Sequence, residues 1–344
     1  MQELAKFLFG VFFASIYVSS CIAATPSTQP LTASQASWNA NLHTLRALLK
    51  TPESQLDLAI AKLTIDRLVD PTTDVPGTLK QIDSWEAKIK ARLPANASNR
   101  TKLDTMLSTL YEKGPWNDHR PFSYDLDDPI GKNIPNKLLS NYLTRRKGQC
   151  SSMPVLLVIL GQRLELPVTL ALAPNHLLTK YGDEDSGTWL NVEATSGGFK
   201  LDTSYERGLH ISPEAINNQL YLRPLTQRES VGAMLLTLLE FHSQRREPVP
   251  SLALADLILE LDPKNAAAML WKSSAYYWLI QQRFKDVYPL AAQIPLELRH
   301  EYLHFSEQNI RWGKAAEALG YTESTLAQNA DYLKSIVEEK DERR

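Results

Sequence analysis

The fold of this chain is decided between residues 145 and 198, which begin Arg145-Arg-Lys-Gly-Gln-Cys150 and continue Ser-Ser-Met-Pro-Val-Leu-Leu-Val-Ile-Leu160. The run after the cysteine is apolar on nearly all sides, so it predicts a buried helix over residues 151–164. Strand-like segments follow at residues 167–173, 176–181 and 188–195, with a polar turn at 182–187. A helix followed by such strands predicts an α+β unit with an antiparallel sheet.

Four residues of this stretch have the chemistry of a nucleophilic site. Cys150 opens the predicted helix, and His176 opens the second predicted strand. A thiol reacts as its thiolate, which a helix N-terminus and a nearby imidazolium both favour. A histidine base usually has a third group that holds its other nitrogen. Asn191 and Glu193 lie two apart on a strand and so share a face, and either could be that group.

The neighbouring residues leave two interpretations open. Gly148 permits a close approach of the chain before the helix. The basic residues Arg145, Arg146 and Lys147 either lower the pKa of Cys150 or are simply solvated. A lone cysteine is most often a small buried side chain, and a lone histidine is most often a plain hydrogen-bonding group. The ordered set of Cys, His and a polar acceptor is much more specific than any member of it.

Composition limits the classes of function. The chain has 344 residues, 43% of them hydrophobic, which is enough for a sizeable core and suggests about two domains. A net charge of −2 and a pI of about 6.4 do not favour nucleic acid as a partner. The sequence has neither a metal-binding cluster nor a phosphate-binding glycine loop, so it predicts no cofactor.

The first residues are typical of an export signal. Residues 7–18 are apolar, which is too short for a membrane span and suits a signal peptide over residues 1–24. Val18-Ser19-Ser20-Cys21 is similar to a bacterial lipoprotein cleavage box, which would make Cys21 an acylated anchor on a membrane surface. Cleavage after Ala24 is the alternative. Either way Cys150 has no partner for a structural disulfide within the mature chain, and a lone thiol in an exported protein needs a reason.

Helices flank the central stretch on both sides. Helical spacing marks residues 36–69, 78–93 and 99–113, an irregular loop occupies 114–135, and a short helix is predicted at 136–144. After it, helices are predicted at 213–219, 230–243, 252–261 and 265–282. The last two, joined by Asp262-Pro263-Lys264, are similar to one tetratricopeptide unit of about 34 residues. The predicted organisation is therefore a signal at 1–24, a linker at 25–35, a helical region at 36–115, a core at 116–225, a tetratricopeptide-like region at 226–337 and a charged tail at 338–344.

The motifs of the central stretch resemble those of the transglutaminase-like superfamily. They are Gly148-Gln-Cys150-Ser-Ser-Met-Pro154, Ala173-Pro-Asn-His176 and Trp189-Leu-Asn-Val-Glu-Ala-Thr-Ser-Gly-Gly198. The resemblance covers about residues 118–225, and it is closest to the bacterial branch that often carries tetratricopeptide-like helices after the core. It implies a papain-like core with Cys150 on the central helix as nucleophile and His176 as base.

The same resemblance implies a third residue, and here the sequence departs from the family. Glu193-Ala194-Thr195 stands where the family usually has Asp-Pro-Thr, so the carboxylate is one methylene further from the backbone. Asn191 is therefore an alternative orienting group, as in papain-like sites that use asparagine. For the oxyanion donor we consider the backbone N–H of Cys150 and the side chains of Asn141 and Gln149.

Two hypotheses of function follow. The first is an exported cysteine-dependent acyl-transfer enzyme, a peptidase, amidase or transglutaminase-like protein that acts on protein or peptide substrates. The second is a non-catalytic interaction protein that binds a partner through its tetratricopeptide-like helices and keeps the Cys–His core as a scaffold. Superfamily membership does not choose between them, because the superfamily includes members that have lost activity.

Overall fold

The computed structural model describes residues 33–194 and 198–341. The chain divides into a unit over residues 1–37 and a unit over residues 38–344. The first is described only where helix α1 (Ala33–Leu49) begins, inside the predicted linker. The predicted signal segment and Cys21 lie outside the described residues.

The first helices each begin at a capping residue where one is described. Asp57, Asp74 and Ser98 accept hydrogen bonds from the first-turn N–H groups of α2 (Leu58–Val69), α3 (Val75–Lys90) and α4 (Asn99–Tyr111). The helical spacing predicted over residues 36–69 is thus two helices, α1 and α2, with a break between them. Helix α3 begins three residues before its predicted start, because Pro76 fits the first turn of a helix.

A long irregular connection leads from α4 to the centre of the molecule. It contains the two-residue strand β1 (Ser123–Tyr124) and ends at helix α5 (Leu139–Arg145). Strand β1 pairs in parallel with β2 (Lys147–Gly148), which directly precedes the cysteine turn. The loop predicted at residues 114–135 is therefore attached to the central stretch.

The central helix α6 (Met153–Arg163) is buried along almost its whole length, as the sequence predicts. It begins two residues later than predicted, so Cys150 lies in the turn that leads into the helix and not on the helix itself. The sheet that packs on it has four antiparallel strands in chain order: β3 (Val168–Ala173), β4 (His176–Asp183), β5 (Thr188–Glu193) and β6 (Gly198–Lys200). The first three are the predicted strands, and β6 is an addition.

The two faces of this sheet pack on different cores. Leu177, Tyr181 and Val192 point to the side of α6 and belong to the main core. Leu178, on the opposite face, belongs to a second core that is built with the helices after the sheet. His176, Lys180, Asn191 and Glu193 share that second face, because side chains alternate along a strand and cross-strand partners lie on the same side.

Most of the remaining chain is helical, and 62% of the described residues lie in helices. The helices after the sheet are α7 (Asp202–Gly208), α8 (Pro213–Asn217), α9 (Gln227–Gln244), α10 (Pro248–Leu261), α11 (Ala266–Ile280), α12 (Leu296–Ala318) and α13 (Leu326–Asp341). Helix α11 packs between α10 and α12. The assignment of this region as tetratricopeptide-like stays a prediction. A mostly helical α+β fold agrees with the predicted class. Across the described residues, every helix is too short or too polar to span a bilayer.

A candidate cysteine–histidine active site

A closed turn holds Cys150 in front of the central helix. The N–H of Met153 donates to the carbonyl oxygen of Gln149 (2.9 Å), and the N–H of Gln149 donates to Oγ of Ser152 (3.0 Å). The turn is reached through Gly148, where a Cβ atom would lie 2.5 Å from the ring of Tyr142, so only glycine fits. Cys150 forms no disulfide, and the residue is partly exposed.

A tight hairpin places His176 beside this turn. Strands β3 and β4 pair up to Ala173 and His176, which leaves Pro174 and Asn175 as the connection. Proline fixes φ at the first turn position, and Asn175 adopts φ 53°, a left-handed conformation that asparagine tolerates. The carbonyl oxygen of Asn175 lies 3.9 Å from Sγ of Cys150. The two-residue turn therefore holds His176, the candidate base, close to Cys150, the candidate nucleophile.

Glu193 lies on the other side of the imidazole. Its Oε2 is 3.2 Å from Nε2 of His176, and both side chains are more than nine-tenths buried. The strand register explains why Glu193 reaches His176. Thr179 pairs with Val192, so one residue further along Glu193 comes opposite Leu178 and lies one diagonal step from His176. With Nε2 facing the carboxylate, the other ring nitrogen, Nδ1, is the one that remains for the thiol.

The electrostatics of the three residues favour an ion pair. Burial opposes the charged imidazolium, but the carboxylate of Glu193 and the Cys150 side chain outweigh it and raise the pKa of His176 to about 9. Burial also opposes the thiolate, but the hydrogen bond and positive charge of His176, with a further contribution from Lys137, lower the pKa of Cys150. The two shifts support each other, because each charged group stabilises the other.

Asn191, the alternative orienting residue, contacts other groups. It is opposite Lys180 in the sheet, two diagonal steps from His176. Its Nδ2 donates to the backbone oxygen of Lys200 (3.0 Å) and to Oδ1 of Asp202 (2.6 Å). Asp202 also accepts from Nζ of the buried Lys180 (2.9 Å). The asparagine thus joins the sheet to the start of α7.

The other groups considered from the sequence are engaged elsewhere. The basic residues Arg145, Arg146 and Lys147 form ion pairs with Asp125, Asp118 and Asp127, respectively. Of the side chains weighed as oxyanion donors, Asn141 donates to the backbone of Pro135 and Gln149 to that of Asp128. Sequence reasoning missed one cation, Lys137. It forms an ion pair with Glu240 on α9, and its positive charge helps to lower the pKa of Cys150.

Tyr205 on α7 is a second residue that sequence reasoning missed. Its hydroxyl donates to Oε2 of Glu193 (2.7 Å), and its ring centroid is 5.8 Å from that of His176. Helix α7 has seven residues, mostly polar, and no apolar period that could reveal it. Only the fold brings it to the site.

Comparison with known proteins identifies the domain in which these residues lie. The sequence model of the transglutaminase-like superfamily matches residues 77–235, a segment that contains Cys150, His176, Asn191 and Glu193. Residues 77–235 form a transglutaminase-like domain. This domain is wider on both sides than the core predicted at residues 116–225, and it runs from α3 into α9.

A relative of this chain is a UPF0162-family protein of Pseudomonas aeruginosa, 26% identical over 192 residues. The match covers 55% of this chain and 66% of the relative, so about a third of the relative has no counterpart in it. No solved structure matches the chain significantly. Within the described residues, no group of histidine, cysteine and carboxylate side chains could hold a metal ion.

Proposed function

We propose that this protein is a cysteine-dependent enzyme that transfers or hydrolyses acyl groups of peptide or amide substrates, with Cys150 as nucleophile, His176 as base and Glu193 as the orienting carboxylate. The observation that carries the proposal is the position of His176. It hydrogen-bonds the thiol of Cys150, a partly exposed residue, on one side, and its Nε2 lies 3.2 Å from a buried carboxylate on the other. A cysteine with a purely structural role needs neither a histidine beside its thiol nor a carboxylate on the far side of that histidine.

The reaction follows from this arrangement. The Cys150 thiolate attacks the acyl carbon, and the C–N bond breaks as the leaving amine takes a proton from the His176 imidazolium. The product is a thioester on Cys150 with a neutral imidazole beside it. Water or a second amine then gives its proton to His176 as it attacks the thioester, which releases the acyl group and restores the thiolate–imidazolium pair. Glu193 keeps the imidazole aimed at the thiol throughout.

Trapping the thioester tests the proposal. The protein is incubated with a mixture of glutamine-containing peptides and hydroxylamine, a strong acceptor that intercepts both hydrolysis and amine transfer. We expect peptide hydroxamates, and without hydroxylamine an acyl mass on the peptide that carries Cys150.

The matched control is Cys150→Ser, which keeps the shape of the site and lacks the thiol. Equal hydroxamate from the wild type and this variant, with no acyl mass in either, would count against an acyl-transfer enzyme. Released ammonia without amine incorporation would assign the natural acceptor as water.

We propose further that the mature chain is exported and carried on a membrane surface through Cys21. The support is the sequence of residues 1–24, with its apolar segment and the box that ends in Cys21. In a bacterial host, the wild type should pellet with membranes and gain the mass of acyl chains at its first residue. Cys21→Ala should leave the protein uncleaved at that position or release it, and an unchanged distribution would contradict anchoring.

A second candidate function is partner binding by the helices after the domain. Helix α12 carries Leu296, Leu303 and Ile310 at intervals of seven residues, and all three are exposed. For a non-catalytic protein, Leu303→Glu would abolish capture of a cellular partner, whereas Cys150→Ser would not. The opposite result would support the enzyme.

A further inference from the structure

The carboxylate of Glu193 is held from two sides by groups of different elements. Its Oε2 faces Nε2 of His176 at 3.2 Å and accepts a hydrogen bond from the hydroxyl of Tyr205 at 2.7 Å. The tyrosine is buried, and its ring is tilted 31° from the imidazole at a centroid distance of 5.8 Å. One side chain therefore contacts both partners of the His–Glu pair.

Hydrogen bonds at the first residue of helix α7 hold the helix against the sheet, and this keeps Tyr205 in contact with Glu193. Its first residue, Asp202, accepts from Nζ of Lys180 (2.9 Å) and from Nδ2 of Asn191 (2.6 Å), both buried on the sheet face. Tyr205 follows almost one helical turn later and meets Glu193, which is two residues beyond Asn191 on β5. Two pairs, Asp202–Asn191 and Tyr205–Glu193, thus join the same helix turn to the same strand.

We infer that Tyr205 is a positioning residue of the site, an inference that rests on the proposed function: its hydroxyl fixes the Glu193 carboxylate and its ring packs beside the imidazole, so that His176 stays aimed at Cys150. The Asp202 anchor holds Tyr205 in turn. The longer glutamate side chain suits this arrangement, because shortening it by one methylene would draw the carboxylate back by about 1.5 Å from partners on both sides.

Other charged or titratable groups also face these residues and are unchanged in the test. Lys200 of β6 lies 5.3 Å from the centroid of the Tyr205 ring. Lys137 acts on Cys150 from the segment before α5, and Tyr124 of β1 is close enough to be influenced by the charge of Cys150. These neighbours are the same in the wild type and in Tyr205→Phe. A difference between the pH profiles of the Cys150 thiol in the two proteins therefore reports the role of Tyr205.

The test is the rate of Cys150 alkylation by iodoacetamide from pH 5 to 9, followed on the peptide that carries Cys150. The proteins are the wild type, Tyr205→Phe, Asp202→Asn and, as a matched control far from the site, Tyr276→Phe on α11. Tyr205→Phe removes only the hydroxyl. We expect its alkylation midpoint to rise by about one pH unit and its rate at pH 6.5 to fall about tenfold, which equals about 1.4 kcal/mol. Asp202→Asn should shift the midpoint in the same direction by less, and Tyr276→Phe should not shift it.

The outcomes separate this inference from the proposed function. An ordinary midpoint near 8.5 in the wild type overturns both. A low wild-type midpoint that Tyr205→Phe leaves in place overturns the inference alone, and so does a uniform fall in rate with an unmoved midpoint, because that pattern reports access to the thiol. If Tyr205→Phe fails to fold, Asp202→Asn serves as the test, because the Asp202 side chain is about half exposed and its replacement disturbs the core less. An unmoved alkylation midpoint in Asp202→Asn then overturns the inference.

Discussion

Replacing Glu193 by glutamine should weaken the thiolate–imidazolium pair without changing the shape of the site. The substitution removes a negative charge 3.2 Å from Nε2 of His176 and keeps the length of the side chain and an oxygen that can accept from Tyr205. Without the carboxylate only the Cys150 side chain opposes the effect of burial, so the pKa of His176 should fall towards its ordinary value. The imidazolium beside the thiol is then less stable, and so is the thiolate that it supports.

The magnitude follows from the pKa of His176. That pKa is about 9 against an ordinary 6.5, a difference of about 2.5 pH units, which corresponds to about 3 kcal/mol. The Cys150 side chain supplies part of this, so the whole difference is an upper limit for Glu193. If half of it comes from the carboxylate, the ion pair forms about 20-fold less readily in Glu193→Gln.

Alkylation of Cys150 by iodoacetamide at pH 6.5 measures this directly. The rate is taken from the peptide that carries Cys150, because Cys21 is a second cysteine in the sequence. We expect a fall of about 20-fold at pH 6.5 that disappears above pH 9, where a thiol ionises without help. Glu184→Gln, which neutralises an exposed carboxylate in the β4–β5 turn, is the control. Equal rates at pH 6.5 in the wild type and Glu193→Gln would refute the reasoning.

Three further predictions concern stability. Lys62→Met leaves Asp66 buried without its ion-pair partner 2.7 Å away and should cost about 3–5 kcal/mol in urea unfolding; a loss below about 1 kcal/mol would contradict a charged pair. The raised pKa of His176 contributes stability that is fully present below about pH 6.5 and is lost as the pH rises through about 9, so the Tm difference between the wild type and His176→Gln should shrink over that range; a constant difference would contradict it. Gly148→Ala should lower the free energy of unfolding by about 1–3 kcal/mol because of the Tyr142 ring, and an unchanged Tm would show that the ring can move aside.

Sequence patterns predicted the elements that carry Cys150 and His176 because the signals there are local. The apolar run after Cys150 favours a helix by itself. Pro174-Asn175 between apolar segments favours a turn, because proline fixes φ and asparagine tolerates a left-handed conformation. The helix start was harder to predict: Ser151 and Ser152 remain in the turn, so Cys150 precedes the helix. Element ends depend on single hydrogen bonds that a periodicity does not report.

The choice between Asn191 and Glu193 needed the pairing register. Both residues face the same side, so alternation alone treats them alike. In the structure Glu193 is near the end of β5, diagonal to His176, whereas Asn191 is opposite Lys180. The role of Tyr205 could not be predicted from a sequence pattern, because its helix has only seven residues and most of them are polar. Only the packing of that helix on the sheet brings Tyr205 to the site.

The separate cores on the two sides of the sheet make the site intolerant of a shift in strand register. Moving β5 by one residue would turn Glu193 towards the apolar surface of α6 and bring Val192 beside the imidazole. A residue inserted in the exposed turn at 184–187 can bulge into solvent and leave the pairing intact. A residue inserted within β5 has no such outlet. Sequence variants that lengthen this hairpin should therefore gather in its turn, and the strand itself should keep its length.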